Sequence, residues 1–554
     1  MDSTTQSAYD EWIARREAHI RLCAAGGEDR LGELPDDILR LIIRRLDTRT
    51  ALATAALSKR WARLPRELPV LEFKVGDVLP ERYRRYLRRR ADAVAGRGQH
   101  DSVVKNMDKL IGRCERRGMR SLASAVTSFL DAADDYDGNG GEAPPRRSAQ
   151  ALTLELLPTH NFAPFNRLIA KAVADWGVQD LSIIVPKTPC QHRDGVSYTF
   201  PHPCFVQGSK SPCCSGGGSL NRLRLSNCAP LDASRNGRVP PAAFSSLTVL
   251  VLQDMPRAIR GRVYERVIQA CPVLEVLHLK SCLSRGRISL DMQMSSRMKE
   301  LVIDTCTFRS IALRSLPKLE RMACQGAPLS LQFGHLPLLT HLNLSFYDDP
   351  NAGPDPQYAA FFGARDEYSA LNFSSRFSSL ENLVVRFTGP EMWIVAPELR
   401  VPFGNLRRLL VADMPRSWDI SWTCRLLEAA PFLDTLHVHV ADDNSWETAF
   451  GPAIPEPPSC FKHHALREVV ILGFQGTGTT QLHFVRFLRD ACKALKNVAL
   501  LKRGYIQGEG LWNWEVVAST VECQWSDEER DVLLREINGG TNNIASSTTQ
   551  IVLR

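Results

Sequence analysis

What this chain has least of narrows its class first. No stretch of its 554 residues approaches eighteen consecutive apolar side chains, the length a membrane-crossing helix needs, so no spanning segment is expected. The opening residues MDSTTQSAYDEWIARREAHI are polar and hold no apolar run of the kind a secretory leader uses. Cysteine is too thin for a disulfide scaffold: the fifteen are scattered, and Cys228, Cys271, Cys282, Cys306 and Cys492 sit inside apolar segments. Reduced, buried, structural thiols in a nuclear or cytoplasmic protein are the expectation.

Signals for metal, nucleotide and catalytic chemistry are equally sparse. The stretch PCQHRDGVSYTFPHPCFVQGSKSPCC offers Cys190, His192, His202, Cys204, Cys213 and Cys214. It lacks the close C-x2-C or H-x3-H pairs that a zinc site uses, so a structural loop is expected. GFQGTGTT at 473–480 is glycine-rich but is not followed by the Gly-Lys-Ser/Thr of a phosphate-binding loop, which leaves a turn. His437 and His439 share a strand face at i, i+2, with no matching third ligand. No Ser/His/Asp or Cys/His arrangement emerges. Catalytic residues, metal and cofactor are therefore all expected to be none.

What is present is an ordinary globular composition, 44% hydrophobic and 23% charged, with room for two to four domains. The formal charge of +8 is already complete within residues 1–125, which hold 26 Lys+Arg against 18 Asp+Glu. Attraction to an acidic partner would come from this front part. Within it, Arg82, Arg84, Arg85, Arg88, Arg89 and Arg90 interleave with Tyr83 and Tyr86. On a helix these read first as a solvated face with Tyr83, Tyr86 and Leu87 against a core. An import signal ranks second and nucleic-acid stacking a distant third.

From residue 220 onward one pattern recurs: apolar, two residues, apolar, one residue, apolar. Eleven clear copies run from LNRLRL at 220 and LTVLVL at 247 to LREVVI at 466 and LKNVAL at 495, with starts 20 to 41 residues apart. Weaker copies stand at 149 and 178. The last two apolar positions alternate, so each copy suits a short strand with one face in a core. The period suits one strand plus one returning segment per unit. That is the leucine-rich-repeat signature, and such units stack into a curved solenoid.

CPVLEVLHLKSC (271–282) and APFLDTLHVHV (430–440) resemble the divergent repeats of plant-type F-box/leucine-rich-repeat proteins. HHALREVVILGFQGTGTTQLHFVRFLRDACKALKNVAL (463–500) resembles that family's C-terminal FBD segment, and FNRLIAKAVADWGVQDLSIIV (165–185) its entry into the repeats. DRLGELPDDILRLIIRRLDTRTALATAALSKRWARL (29–64) resembles the F-box itself. Its residue chemistry agrees independently. Pro35 suits a first helical turn, Asp36 and Asp37 favour the positive end of the helix dipole, and Asp47 or Thr48 can start a second helix. Ile38, Ile42 and Leu46 recur at i, i+4, i+8 with Leu39 beside them.

The expected fold is α/β: a short all-helical F-box followed by a curved leucine-rich-repeat solenoid with a parallel sheet. Boundaries read as a polar leader (1–27), the F-box (28–75) and a basic helical linker ending in a low-complexity loop (76–148). The solenoid (149–462), FBD-like terminal repeats (463–510) and a C-terminal tail (511–554) follow. An F-box segment is too short to bury its own apolar face, so a partner groove is expected to cover it. The resemblance implies that this partner is a Skp-type adaptor, joined through it to cullin and RING subunits of a ubiquitin ligase. The adaptor-binding residues would be Leu34, Pro35, Ile38, Leu39, Ile42, Leu46, Leu57 and Trp61. A target protein would meet the concave strand face at Arg224, His278, Lys280, Asp304, Asn343, Arg386, His437 and His439. The chain itself would catalyse nothing, and neither membrane nor nucleic acid is expected as a partner. The rival is a scaffold whose F-box-like helices fold back on the solenoid.

Overall fold

The structure, a computed structural model, describes residues 34–58, 60–61, 63–95, 101–134, 148–158, 161–188, 198–201, 220–230, 244–284, 287–291, 296–327, 329–347, 377–388, 403–414, 416, 419–441, 461–476, 479–519, 525–538 and 549–553. The leader, the Cys190–Cys214 cluster and most of the insertions at 346–376 and 441–462 lie outside the described residues.

Every copy of the repeat becomes a strand. The two weak copies are β2 (Ala151–Glu155) and β3 (Asp180–Ile184), preceded by β1 (Val70–Lys74). Then follow β4 (Arg222–Ser226), β5 (Val249–Gln253), β6 (Val276–Lys280), β7 (Arg287–Asp291), β8 (Glu300–Asp304), β9 (Ser310–Ser315) and β10 (Arg321–Gly326). Next come β11 (Ser330–His335), β12 (His341–Tyr347), β13 (Asn382–Thr388), β14 (Arg408–Met414) and β15 (Thr435–Val440). The last are β16 (Glu468–Leu472), β17 (Asn497–Leu501), β18 (Gly504–Glu509), β19 (Asn513–Ala518) and β20 (Gln550–Leu553). Fifteen of these form one sheet in the order β1-β2-β3-β4-β5-β6-β8-β10-β12-β13-β14-β15-β16-β17-β20, and each described pairing is parallel. The fold is thus a short helical front and a long parallel solenoid sheet.

Two of the fifteen strands escaped the repeat reading. β1 carries the same spacing in Leu68, Leu71 and Phe73, all buried, so the solenoid sheet begins before residue 75. β20 closes the far end inside the expected tail, pairing with β17 from Asn497↔Gln550 to Leu500↔Leu553. The expected linker is also more than a linker. α3 (Glu81–Ala95) and α4 (Asp101–Asp134) lie between β1 and β2 in sequence, and Met119, Leu122, Val126 and Leu130 of α4 enter the main core. Phe129 meets Phe73 and Trp176 edge-on, at 5.3 and 5.8 Å between centroids.

The unit has a local logic. The two alternating apolar side chains of each strand point into the core, as Leu250/Leu252 and Leu277/Leu279 do at 0% exposure. The chain then leaves the sheet through a left-handed residue: Asn227, Asp254, Ser281, Thr305, Gly326, Asp413 or Gly473. Such turns keep pairing with the next strand, as when Asp254 N–H donates to Lys280 O and Ser281 N–H to Asp304 O, at 2.8 and 2.7 Å. The next residue is often cysteine. Cys282 and Cys306 thiols donate back to Leu252 O and Leu279 O at 3.4 and 3.3 Å, so the buried thiols are hydrogen-bonded to the preceding strands. Burial pushes the Cys271, Cys424 and Cys492 thiols up to about 12, which keeps these packing groups in the thiol form.

The return segments are helices at Ala163–Ala174, Gly261–Gln269, Thr423–Ala429 and Thr480–Ala491. In the middle they give way to a second parallel sheet, β11-β9-β7. Among the described residues of the 473–480 stretch, Gly473 and Gly476 have positive φ and Thr479 caps the helix that begins at Thr480.

Candidate functional site

Two surfaces carry the sequence-derived candidates: the F-box face and the strand face turned away from the core. In the F-box, α1 (Asp36–Ile43) starts at Pro35, which takes the cap position with φ −56 and ψ 149. Asp36 and Asp37 fill its first turn. α2 (Thr48–Ala53) is capped by Asp47, whose side chain accepts from Thr50 N–H at 2.9 Å. Thr48 Oγ1 accepts from Glu72 N–H at 2.8 Å, so the second helix is tied directly to the first strand of the sheet.

The helix presents two faces, displaced by one residue from the expectation. Leu39 and Ile43 are buried in the chain's own core together with Ala51 and Trp61. Leu39 at 0% and Trp61 at 6% exposure are therefore removed from any docking face. Ile42, Leu46 and Leu34 are half-buried against that same core. Ile38 at 42% and Leu57 at 66% stay exposed, and Leu41 at 57%, which the sequence reading missed, joins them. Pro35 is exposed beside them. The missed residue carried a readable signal, since Leu41 lies at i+3 from Ile38. Ion pairs from Arg40 to Asp37 and Glu67, and from Arg60 to Asp36, brace the polar side of the unit.

Arg82, Arg84, Arg85, Arg88 and Arg89 form a solvated face, and Arg90 is half-buried and paired with Asp108 at 2.5 Å. Tyr83, Met107, Ile111 and Cys114 form a small core between α3 and α4, with Tyr86 and Leu87 packed on it. Tyr83 O–H donates to Glu115 Oε1 at 3.0 Å. Burial raises the Glu115 carboxyl pKa, and this hydrogen bond opposes the shift.

On the strand face, register sets Glu72, Thr153, Ser182, Arg224, Val251 and His278 side by side across β1–β6. Arg224 is exposed and reaches Gln253 Oε1 at 2.8 Å. His278 Nε2 stands 2.8 Å from Glu300 Oε1, and this contact with the nearby Arg321 holds the Glu300 carboxyl below its ordinary pKa. Lys280 and Asp304 flank them, half-buried, with Thr305 O–H donating to Asp304 at 2.7 Å.

The other four candidates are engaged within the chain. Asn343 donates from Nδ2 to Leu511 O at 2.8 Å. His437 Nδ1 accepts from Trp514 Nε1–H at 2.9 Å. Burial, aided by Arg408, pushes His437 down to about 4, so the ring is neutral and the proton sits on Nε2. Arg386 and His439 converge on Asp413, at 3.0 and 2.7 Å. Although burial alone raises the Asp413 pKa, His439 and Arg386 hold it below the ordinary value. Among the described residues no group of three or more His, Cys, Asp or Glu side chains is placed to hold a metal ion. No helix among them is long and apolar enough to cross a membrane.

Comparison with known proteins follows the same division. The family model described as the At1g61320/AtMIF1 LRR domain matches residues 149–480, and the F-box domain model matches residues 31–73. F-box/FBD/LRR-repeat protein At2g26030 of Arabidopsis thaliana is 25% identical over 193 residues, 33% of this chain and 39% of that protein. F-box/FBD/LRR-repeat protein At3g52680 of the same plant is 41% identical over 64 residues, 12% of this chain and 14% of that one. The chain thus spans about two fifths of the first relative's length and a seventh of the second's. The helical front, the stacked parallel strands and the two family matches assign the protein together: it belongs to the F-box/leucine-rich-repeat proteins of the At1g61320/AtMIF1 LRR-domain family.

Proposed function

We propose that the protein is a substrate-receptor subunit of a Skp-cullin-F-box type ubiquitin ligase, docking the adaptor through the F-box and a target protein through the repeat strands. The observation that carries this reading is three exposed apolar side chains, Ile38, Leu41 and Leu57, on a unit whose Leu39, Ile43, Ala51 and Trp61 are buried. F-box domains in general bind Skp1-type adaptors, and an adaptor groove would take these side chains out of water. Full burial of an aliphatic side chain contributes roughly 1.5–3 kcal/mol before association costs. The receptor makes no bond itself. It raises the effective concentration of a target near a conjugating enzyme that the ligase carries, in the nucleus or the cytoplasm.

The test is co-purification with a Skp-type adaptor. The wild type is expected to bind. Ile38→Glu/Leu41→Glu/Leu57→Glu is expected to lose binding by at least about a hundredfold while keeping its melting temperature, since all three side chains are exposed. Equal binding by both forms, or none by either, overturns the reading. A non-ligase scaffold is the second reading. It draws on the shared core of Leu39, Ile43, Ala51 and Trp61 with the solenoid, and it gains if the wild type fails to bind.

A further inference from the structure

β18 and β19 form an antiparallel hairpin that belongs to no repeat. It lies across the strand face of the solenoid's C-terminal half. Near its base, Ile506, Val516 and Ala518 pack on Val470, Leu472 and Leu501. Further along, Trp514 is buried against Val384, Leu410 and Ala412, with the Arg408 guanidinium over its ring at 4.4 Å. At the tip, Leu511 O accepts from Asn343, and Arg321 of β10 stands 5.8 Å from the Trp512 ring. From β17 to β12 is five strand spacings, about 24 Å, and a six-residue strand plus its turn covers about that length. The hairpin therefore bridges the strands crosswise.

The surface beneath it is built to be covered. In the central row of side chains, β13, β14, β16 and β17 contribute Val384, Leu410, Val470 and Ala499, while Asn343 of β12 and His437 of β15 are hydrogen-bonded to the hairpin. The same row over β1–β4 holds Glu72, Thr153, Ser182 and Arg224, and it passes through Val251, His278, Val302 and Ala323 before it reaches the hairpin. A strand face meant for water is polar, whereas one meant for a protein cover is apolar. Both ends of the hairpin are anchored as well. β17 precedes it, and the helix Asp527–Ile537 and β20 follow it. That helix buries Leu533 and Ile537 and takes hydrogen bonds from Arg486 to Glu536 O and from Arg489 to Ile537 O. A segment pinned on both sides cannot swing away as a tail does.

We propose that Gly504–Ala518 is a permanent intramolecular plug, anchored by Trp514, which closes the C-terminal half of the strand face and confines target reading to the face of β1–β6 and β8. The second clause rests on the receptor reading given above, whereas the plug itself does not. Asn343 and His437 are then structural groups, and Arg224, His278, Lys280 and Asp304 remain on the reading surface, with the Leu511–Trp512 tip as its wall.

Cysteine footprinting of the full chain with N-ethylmaleimide, read by peptide mapping, tests the plug without any target, so its failure is distinct from failure of the ligase reading. Val384→Cys and Arg224→Cys lie in the same row, one under the hairpin and one outside it. Arg224→Cys is expected to label at least about a hundredfold faster than Val384→Cys. Adding Trp514→Ala is expected to raise the Val384→Cys rate at least about tenfold and to leave Arg224→Cys unchanged. Equal labelling of the two sites in the intact hairpin, or continued protection of Val384→Cys without Trp514, overturns the proposal. Hydrogen exchange on the unsubstituted protein gives a reading that does not depend on the variant folding. The paired amides of β18 and β19 are expected to be as protected as those of β17, and exchange more than about a hundredfold faster than β17 would mark a lid instead of a plug.

Discussion

Ile38 and Leu39 are adjacent in sequence and meet opposite surroundings, one 42% exposed and the other fully enclosed. Leu39→Ala therefore leaves a cavity and is expected to cost about 2–5 kcal/mol. Ile38→Ala is expected to change stability by less than about 0.5 kcal/mol. Chemical denaturation of the two variants checks the contrast, and equal losses would contradict the assigned faces. An eight-residue helix with apolar side chains at 38, 39, 42 and 43 offers two overlapping stripes, so periodicity shows that one is inward without showing which. The packing of α1 on the 3-10 turn Leu64–Glu67 decides it. Gly326 is a sharper case. Its φ is +109, and an added Cβ would stand 2.7 Å from Thr305 Cα. Gly326→Ala is expected to lower stability by about 1–3 kcal/mol, measured by thermal or urea unfolding. His437 sets a pH dependence. Its folded pKa, about 4, lies below the ordinary 6.5, so its burial as a neutral ring contributes stability that is complete above about 6.5. That contribution is lost as pH falls from there toward 4, where protonation removes the acceptor for Trp514. His437→Asn is expected to lose less stability than the wild type between pH 7 and pH 4.5. A parallel decline in both would remove His437 as the cause.

At the scale of elements, the repeat strands were the most legible feature. A strand buried on one face needs apolar side chains at alternate positions, and eleven clear copies printed that need openly. The helical pair α3–α4 was legible in part. Its apolar stripe set Tyr83, Tyr86 and Leu87 inward and Arg82, Arg84, Arg85, Arg88 and Arg89 outward, as found, whereas Arg90 is half-buried in an ion pair with Asp108. Arg84→Gln/Arg85→Gln/Arg88→Gln/Arg89→Gln is accordingly expected to shift stability by less than about 1 kcal/mol. Ile111→Ala, which opens the small core between the same helices, is expected to cost about 2–5 kcal/mol. Unfolding curves of both variants decide the matter, and a large loss in the arginine variant would show that the run is structural. The second sheet β11-β9-β7 was not legible. Its strands replace helices in the return segments, and sequences such as RISLD or SIALRS carry no repeat of their own. Their partners are the equivalent segments of neighbouring units, one turn of the solenoid away.

At the scale of the whole molecule, one hydrophobic core runs from Leu39 to Leu553. The apparent linker is part of that core, so cutting at the composition boundary is expected to damage the fold. A chain of residues 149–554 would expose the edge of β2, with Leu152 and Leu154 stripped of their cover from β1 and α4. It is expected to aggregate or to melt below the full chain, as solenoids without their terminal cap do. Size exclusion with thermal circular dichroism checks this, and an unchanged monomer would show that the front is a separate domain.

The sequence alone determined the strand period, the start of the second F-box helix, the buried thiols and the basic outer face. Each follows from spacing within a few residues, where backbone geometry ties position to direction. Only the tertiary structure decided which stripe of α1 faces inward, that β1 and β20 extend the sheet, and that a hairpin lies across the strand face from β12 to β17. Those outcomes depend on contacts far apart in the chain, such as Asn343 with Leu511 across 168 residues. A local pattern holds no record of a partner that distant.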